Sequence, residues 1–171
     1  MYLDYQVFES DLLFTWDTPY LYTNDEIEYK SFTKIPNLIK MGELMNDVMP
    51  LLKSYSLFIE IEKLEETDTM TNTQINYFGI EYAGFPRKFE ARFENNKLNM
   101  VWILTGKKEE NRLRRKLTAV YGKVLFVNGS WEVFNNWTVL LRKIKPGILF
   151  LPKDSDFDIR NNIQNRISNN N

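Results

Sequence analysis

The chain has 171 residues, 43% of them hydrophobic, including 12 Phe, 9 Tyr and 4 Trp, which is enough apolar surface for a real core. It has no Cys and no His, which excludes disulfides, thiolate or imidazole metal sites and every Ser-His or Cys-His nucleophile pair. Net charge is −1, yet residues 1–80 carry 14 acidic against 5 basic side chains and residues 81–171 carry 9 against 17. An acidic half of this kind suits a basic partner.

The length fits one domain, expected over residues 1–168 with a loose tail at 169–171. The opening MYLDYQVFESD has neither the basic nor the apolar region of a secretion signal, and no run of about 18 apolar residues follows. A cytoplasmic address, no membrane and no cofactor are the expectations. Short aromatic runs at Tyr2-Leu3, Val7-Phe8, Leu12 to Trp16 and Tyr20 to Tyr22 predict short strands. Leu38, Met41, Met45, Val48, Met49 and Leu52 follow helical spacing. Pro36 suits the first turn of that helix, and Pro50 should end or kink it. The helix is therefore expected near 37–50.

From Ser56 to Leu64 the pattern turns to strand, with Leu57, Ile59 and Ile61 on one side and Glu60 and Glu62 on the other. The polar stretch EETDTMTNTQ predicts a loop. A meander follows: a strand over Ile75 to Tyr82, a turn at Ala83-Gly84-Phe85-Pro86, and a half-exposed strand with Phe89, Ala91 and Phe93 inward. Asn95-Asn96 makes a tight turn, and Leu98 to Leu104 reads as a central strand with Trp102 buried. Lys107 to Tyr121 reads as a helix with Leu113, Leu117, Val120 and Tyr121 inward and Gly122 just past its end. Strands are expected at Val124 to Val127, Trp131 to Phe134, Trp137 to Ile144 and Ile148 to Leu151. Ser155 can cap a last helix carrying Ile159, Ile163 and Ile167. Runs of strands with segregated helices predict an α+β fold, an antiparallel sheet of five or more strands packed on two main helices.

Candidate chemistry is sparse. Asp154, Asp156 and Asp158 have the alternate spacing of a calcium loop but lack its Gly and distal Glu, so helix capping explains them better. The basic run Arg112, Arg114, Arg115 and Lys116 lies opposite Leu113 and Leu117 and follows Glu109 and Glu110, which offer pairs such as Glu110–Arg114. A solvated face is the plain reading, and no RNA-binding aromatic motif or helix-turn-helix pattern supports a nucleic-acid partner. The acidic stretches are the stronger candidates: Asp25, Glu26 and Glu28 among Tyr20, Tyr22, Tyr29 and Phe32, and Glu60, Glu62, Glu65, Glu66 and Asp68 with Lys63 as the one cation between them. Acids interleaved with aromatics suit an interface for a basic protein.

From Phe89 to Leu151 the layout runs FEARF, a two-residue turn, KLNMVWIL, a helix ending Leu117-x-x-x-Tyr121-Gly122, and the strands WEVF and WTVLL. In this order it resembles small bacterial immunity proteins that neutralise polymorphic or contact-dependent growth-inhibition toxins. The resemblance implies a one-to-one complex with a toxin domain, often a basic nuclease whose active site is plugged. It carries no individual residue across. The expected function is thus an immunity-type inhibitor and not an enzyme. The alternatives are a small carboxylate-dependent enzyme, or another interaction protein such as a phage anti-defence factor.

Overall fold

The computed structural model describes residues 39–64, 73–153 and 157–165. Among them, helix α1 (Met45–Tyr55) precedes strands β1 (Phe58–Lys63), β2 (Thr73–Tyr82), β3 (Phe85–Glu94) and β4 (Lys97–Leu104). A 3₁₀ turn (Lys107–Glu109) leads into α2 (Glu110–Tyr121). Strands β5 (Phe126–Val127), β6 (Trp131–Phe134), β7 (Val139–Arg142) and β8 (Gly147–Phe150) follow, then α3 (Phe157–Asn165). The eight strands form one antiparallel sheet in the order β1-β2-β3-β4-β8-β7-β6-β5. It is two meanders joined edge to edge where β4 meets β8, with α2 as the crossover. The α+β class, the antiparallel sheet and the two main helices agree with the sequence.

Period-two alternation sends one set of side chains to each face. The inner face carries Ile75, Tyr77, Phe89, Ala91, Phe93, Val101, Ile103, Leu141, Ile148 and Phe150, and buries them beneath α1 (Val48, Leu52) and α2 (Leu113, Leu117). Tyr82 meets Phe89 and Phe150 edge-on at 6.2 and 6.4 Å, contacts of about 0.5–1.5 kcal/mol each beyond area burial. On the outer face α3 sets Ile159 and Ile163 against Met100 and Trp102 of β4 and Val133, Leu140 and Leu149 of the second meander.

Several boundaries differ from the sequence expectation. The first helix starts at Met45 and runs through Pro50 to Tyr55. Before it the chain turns at Gly42 (φ 89°) and bridges Leu44 to Lys97, so Ile39 and Met41 join the core from a turn. Pro50 forfeits only one ladder bond, to the Asn46 carbonyl, while Val48 and Leu52 on either side of it are anchored in the core. The strand expected from Trp137 starts later, because Asn135, Asn136 and Trp137 all have left-handed φ (48°, 50°, 67°) in a 3₁₀ turn. The Asn95-Asn96 turn is as expected, both residues having the positive φ (48°, 63°) that a type I′ hairpin demands. A bulge in β2 falls at Gly79 (φ 84°), where a Cβ would lie 2.6 Å from Leu57 Cγ. The predicted N-terminal strands, Pro36, Leu38, Ser155, Ile167 and the tail lie outside the described residues. No described helix is long and apolar enough to cross a membrane.

Candidate protein-binding face

Among the described strands β1 lies at one edge of the sheet, and five of its six residues are exposed. Alternation sends Glu60 and Glu62 to the outer face and Ile59 and Ile61 to the inner one. Strand register extends the outer face inward as two rows. Glu60 stands opposite Asn76, which stands opposite Glu90, and Glu62 stands opposite Gln74, which stands opposite Arg92. Asn76 is fully buried and Gln74 nearly so, so their amides need partners. The Asn76 Nδ2 group donates to Glu62 Oε1 at 2.5 Å and to Glu60 Oε2 at 3.5 Å. Gln74 Nε2 donates to Asn76 Oδ1 at 2.9 Å and to Glu62 Oε2 at 3.3 Å, and Arg92 Nε donates to Gln74 Oε1 at 2.7 Å.

This network fixes the electrostatics. Lys88 pairs with Glu90 at 3.1 Å, and Arg92 is spent on an amide oxygen. Glu60 and Glu62 meet amides, and neither has a cation partner among the described residues. Beside them the surface is apolar. Phe58 stacks on Phe78 at 4.4 Å with the Lys88 ammonium 5.4 Å from the Phe78 ring centre. Leu57, Phe58 and Ile61 are 84%, 59% and 55% exposed. The structure thus joins Glu60 and Glu62 and adds Gln74, Asn76, Lys88, Glu90 and Arg92 to their face. The alternation in KFEARFE showed that Lys88, Glu90 and Arg92 share a side; only the register shows that it is the side of Glu60. Asp25, Glu26, Glu28, Glu65, Glu66 and Asp68 lie outside the described residues.

The basic helix departs from the solvated face expected of it. Arg114 makes the expected pair with Glu110 at 2.5 Å, but its Nε and Nη2 also grip the buried Glu132 of β6 at 2.6–2.8 Å. These bonds to Glu132 raise the Arg114 pKa. Arg112 donates to the Ala83 carbonyl and to Glu109, and lies 4.5 Å from the Phe85 ring centre. Both arginines therefore fasten α2 to the sheet. Arg115 stays exposed, its Nε 3.4 Å from the Asn111 carbonyl one turn back.

Glu109 has a clearly lowered pKa. Arg87 grips it with two bonds of 2.6 Å, Arg112 adds one of 2.8 Å, and the Gly106 N–H another of 2.8 Å. Burial alone would raise its pKa, but these bonds and the Arg87 charge outweigh burial and hold it at about 2. Among the described residues no three acidic side chains cluster in a way that would hold a metal ion. Comparison with protein-family models, curated proteins and solved structures finds no match.

Proposed function

We propose that this chain is an immunity-type inhibitor that binds a basic toxin domain through the outer face of β1, the edge strand among the described residues. The observation that carries the reading is that Glu60 and Glu62, which have no cation partner among the described residues, share the outer face of the edge strand with exposed Phe58, while Leu57 just before the strand and Ile61 on its other face are exposed as well. Acidic groups steer a basic partner across roughly a Debye length, about 8 Å at physiological salt. Adjacent apolar side chains give it area to bury once it arrives. The layout likeness between Phe89 and Leu151 supports the same reading.

The test is a pull-down from the native host, followed by growth rescue against the toxin encoded beside the gene. Reversal of Glu60, Glu65 and Glu66 to Lys, sparing Glu62 on which Asn76 depends, should slow association, and the loss should shrink with added salt. Equal binding by that variant at low salt, or a partner seated on Arg112 to Lys116, defeats the assignment of the face. A captured partner that is no toxin moves the chain to another interaction class, such as an anti-defence factor.

A carboxylate-dependent enzyme is the second reading, favoured by Glu109, which has a shifted pKa and lines a groove. Its shift runs downward, and three donor groups already occupy its oxygens. A general acid or base needs the opposite: a pKa near the working pH and a free lone pair. We therefore assign Glu109 to structure.

A further inference from the structure

A groove of about 760 Å3 opens where β3 begins and β4 ends, floored by Phe85, Pro86 and Leu104 and walled by the 3₁₀ turn. Its volume is that of a small-molecule site, about 300–1,000 Å3. Four cations line it, Arg87, Lys88, Lys107 and Lys108, against the single carboxylate of Glu109. Local pairing decides which of these charges are free. Arg87 is committed to Glu109, and Lys88 to Glu90 at 3.1 Å. Lys107 and Lys108 are exposed and have no ion-pair partner among the described residues. Thr105, which also lines the groove, has a buried hydroxyl oxygen with no hydrogen-bond partner among the described residues.

Two free ammonium groups and an unpartnered hydroxyl beside an apolar floor form a site of mixed character. An ammonium is a point charge that tolerates any oxyanion geometry, and phosphate is its common ligand. A buried hydroxyl without a partner costs free energy that an anionic oxygen would recover. The floor of Pro86 and Leu104 asks for something less polar than phosphate alone. We propose that this groove binds a small organic phosphate, its phosphoryl group held by Lys107, Lys108 and the Thr105 hydroxyl and its organic body against Pro86 and Leu104. The site shares only Lys88 with the face of Glu60 and Glu62 and does not rest on the toxin-binding reading.

The test is amide chemical-shift titration of the 15N-labelled full chain with three probes: AMP, adenosine and inorganic phosphate. AMP should give saturable shifts confined to residues 85–88 and 104–109, with Kd below about 5 mM. It should bind about fivefold or more tighter than either fragment, since each fragment keeps only half of the contacts. Lys107→Ala with Lys108→Ala, two exposed positions whose loss leaves the core intact, should weaken AMP by about tenfold. Thr105→Val should weaken it as well, whereas Thr105→Ser, which restores the hydroxyl, should not. Four results overturn the proposal: no saturation by about 10 mM AMP, shifts that map elsewhere, adenosine or phosphate binding as tightly as AMP, or undiminished affinity in the double-lysine variant.

Discussion

Replacing Glu109 by Gln removes one negative charge from between two guanidinium groups and leaves Arg87, whose side chain is 6% exposed, without a counter-ion. The folded-state pKa of about 2, against an ordinary 4.5, sets the scale. At about 1.4 kcal/mol per pKa unit the depression corresponds to about 3 kcal/mol. Glu109 is 16% exposed, and solvent screening on that side trims this to about 2 kcal/mol. A depressed pKa means the unfolded chain binds this proton first, so the contribution is complete above pH 4.5 and disappears as pH falls toward 2. Urea unfolding followed by tryptophan fluorescence, at steps from pH 7 to pH 2, reads both variants on one axis. Glu109→Gln should be about 2 kcal/mol less stable than the parent at pH 7, and the gap should close between pH 4.5 and 2. A gap that stays constant across this range, or is absent at pH 7, would refute the clamp.

Other outcomes follow from the same kind of accounting. Glu132→Ala should cost about 2–3 kcal/mol, because it strips Arg114 of its main partner, and should speed hydrogen exchange along α2; Arg114→Met with Glu132→Leu should restore most of the stability. Tyr77 is fully buried and its hydroxyl has no partner among the described residues, so Tyr77→Phe in the same urea assay should be neutral or up to about 1 kcal/mol more stable. A loss above that size would mean the hydroxyl has a partner.

The sheet was legible where alternation was clean. FEARF sets one residue in two inward, and the structure buries Phe89, Ala91 and Phe93 accordingly, whereas KLNMVWIL was legible as a central strand because it is apolar on both faces, and Met100, Val101, Trp102 and Ile103 are all buried. The second main helix was legible from Leu113 and Leu117, since a 3.6-residue stripe flanked by charge has no competing reading. The first was misplaced because Met41 obeys the stripe by coincidence. A turn at Gly42 carries it into the core, and local periodicity cannot separate a helix from a turn that reaches the same pocket. Arg114 shows a deeper limit. Its i,i+4 partner Glu110 could be read from spacing, but its buried partner Glu132 is 18 residues away on β6. A buried ion pair across elements leaves no local trace. The same holds for the candidate face, where Glu60 and Asn76 are 16 residues apart and meet only through the β1–β2 register.

The acids of β1 have a second consequence, which bears on self-association. Among the described strands β1 is an edge with exposed Phe58 and Ile61, and such an edge invites a second copy to pair along it. Antiparallel pairing of two β1 strands that keeps the same faces aligned must oppose residues whose numbers sum to an even value. The two such registers with the greatest overlap set Glu60 against Glu60, or Glu60 against Glu62 twice. Like charges directly opposite one another destabilise a ladder, so the carboxylates guard the edge against its own copy while leaving it open to a basic strand. The discriminating variant is Glu60→Gln with Glu62→Gln, which removes the charges but keeps carbonyl acceptors for the Asn76 and Gln74 amides. Sedimentation velocity over a concentration series should find the parent monomeric and the double-Gln chain increasingly dimeric, with far-ultraviolet circular dichroism unchanged. Should the double-Gln chain remain monomeric at every concentration, the guard does not exist, and the acidity of this edge would have to be explained by a partner alone.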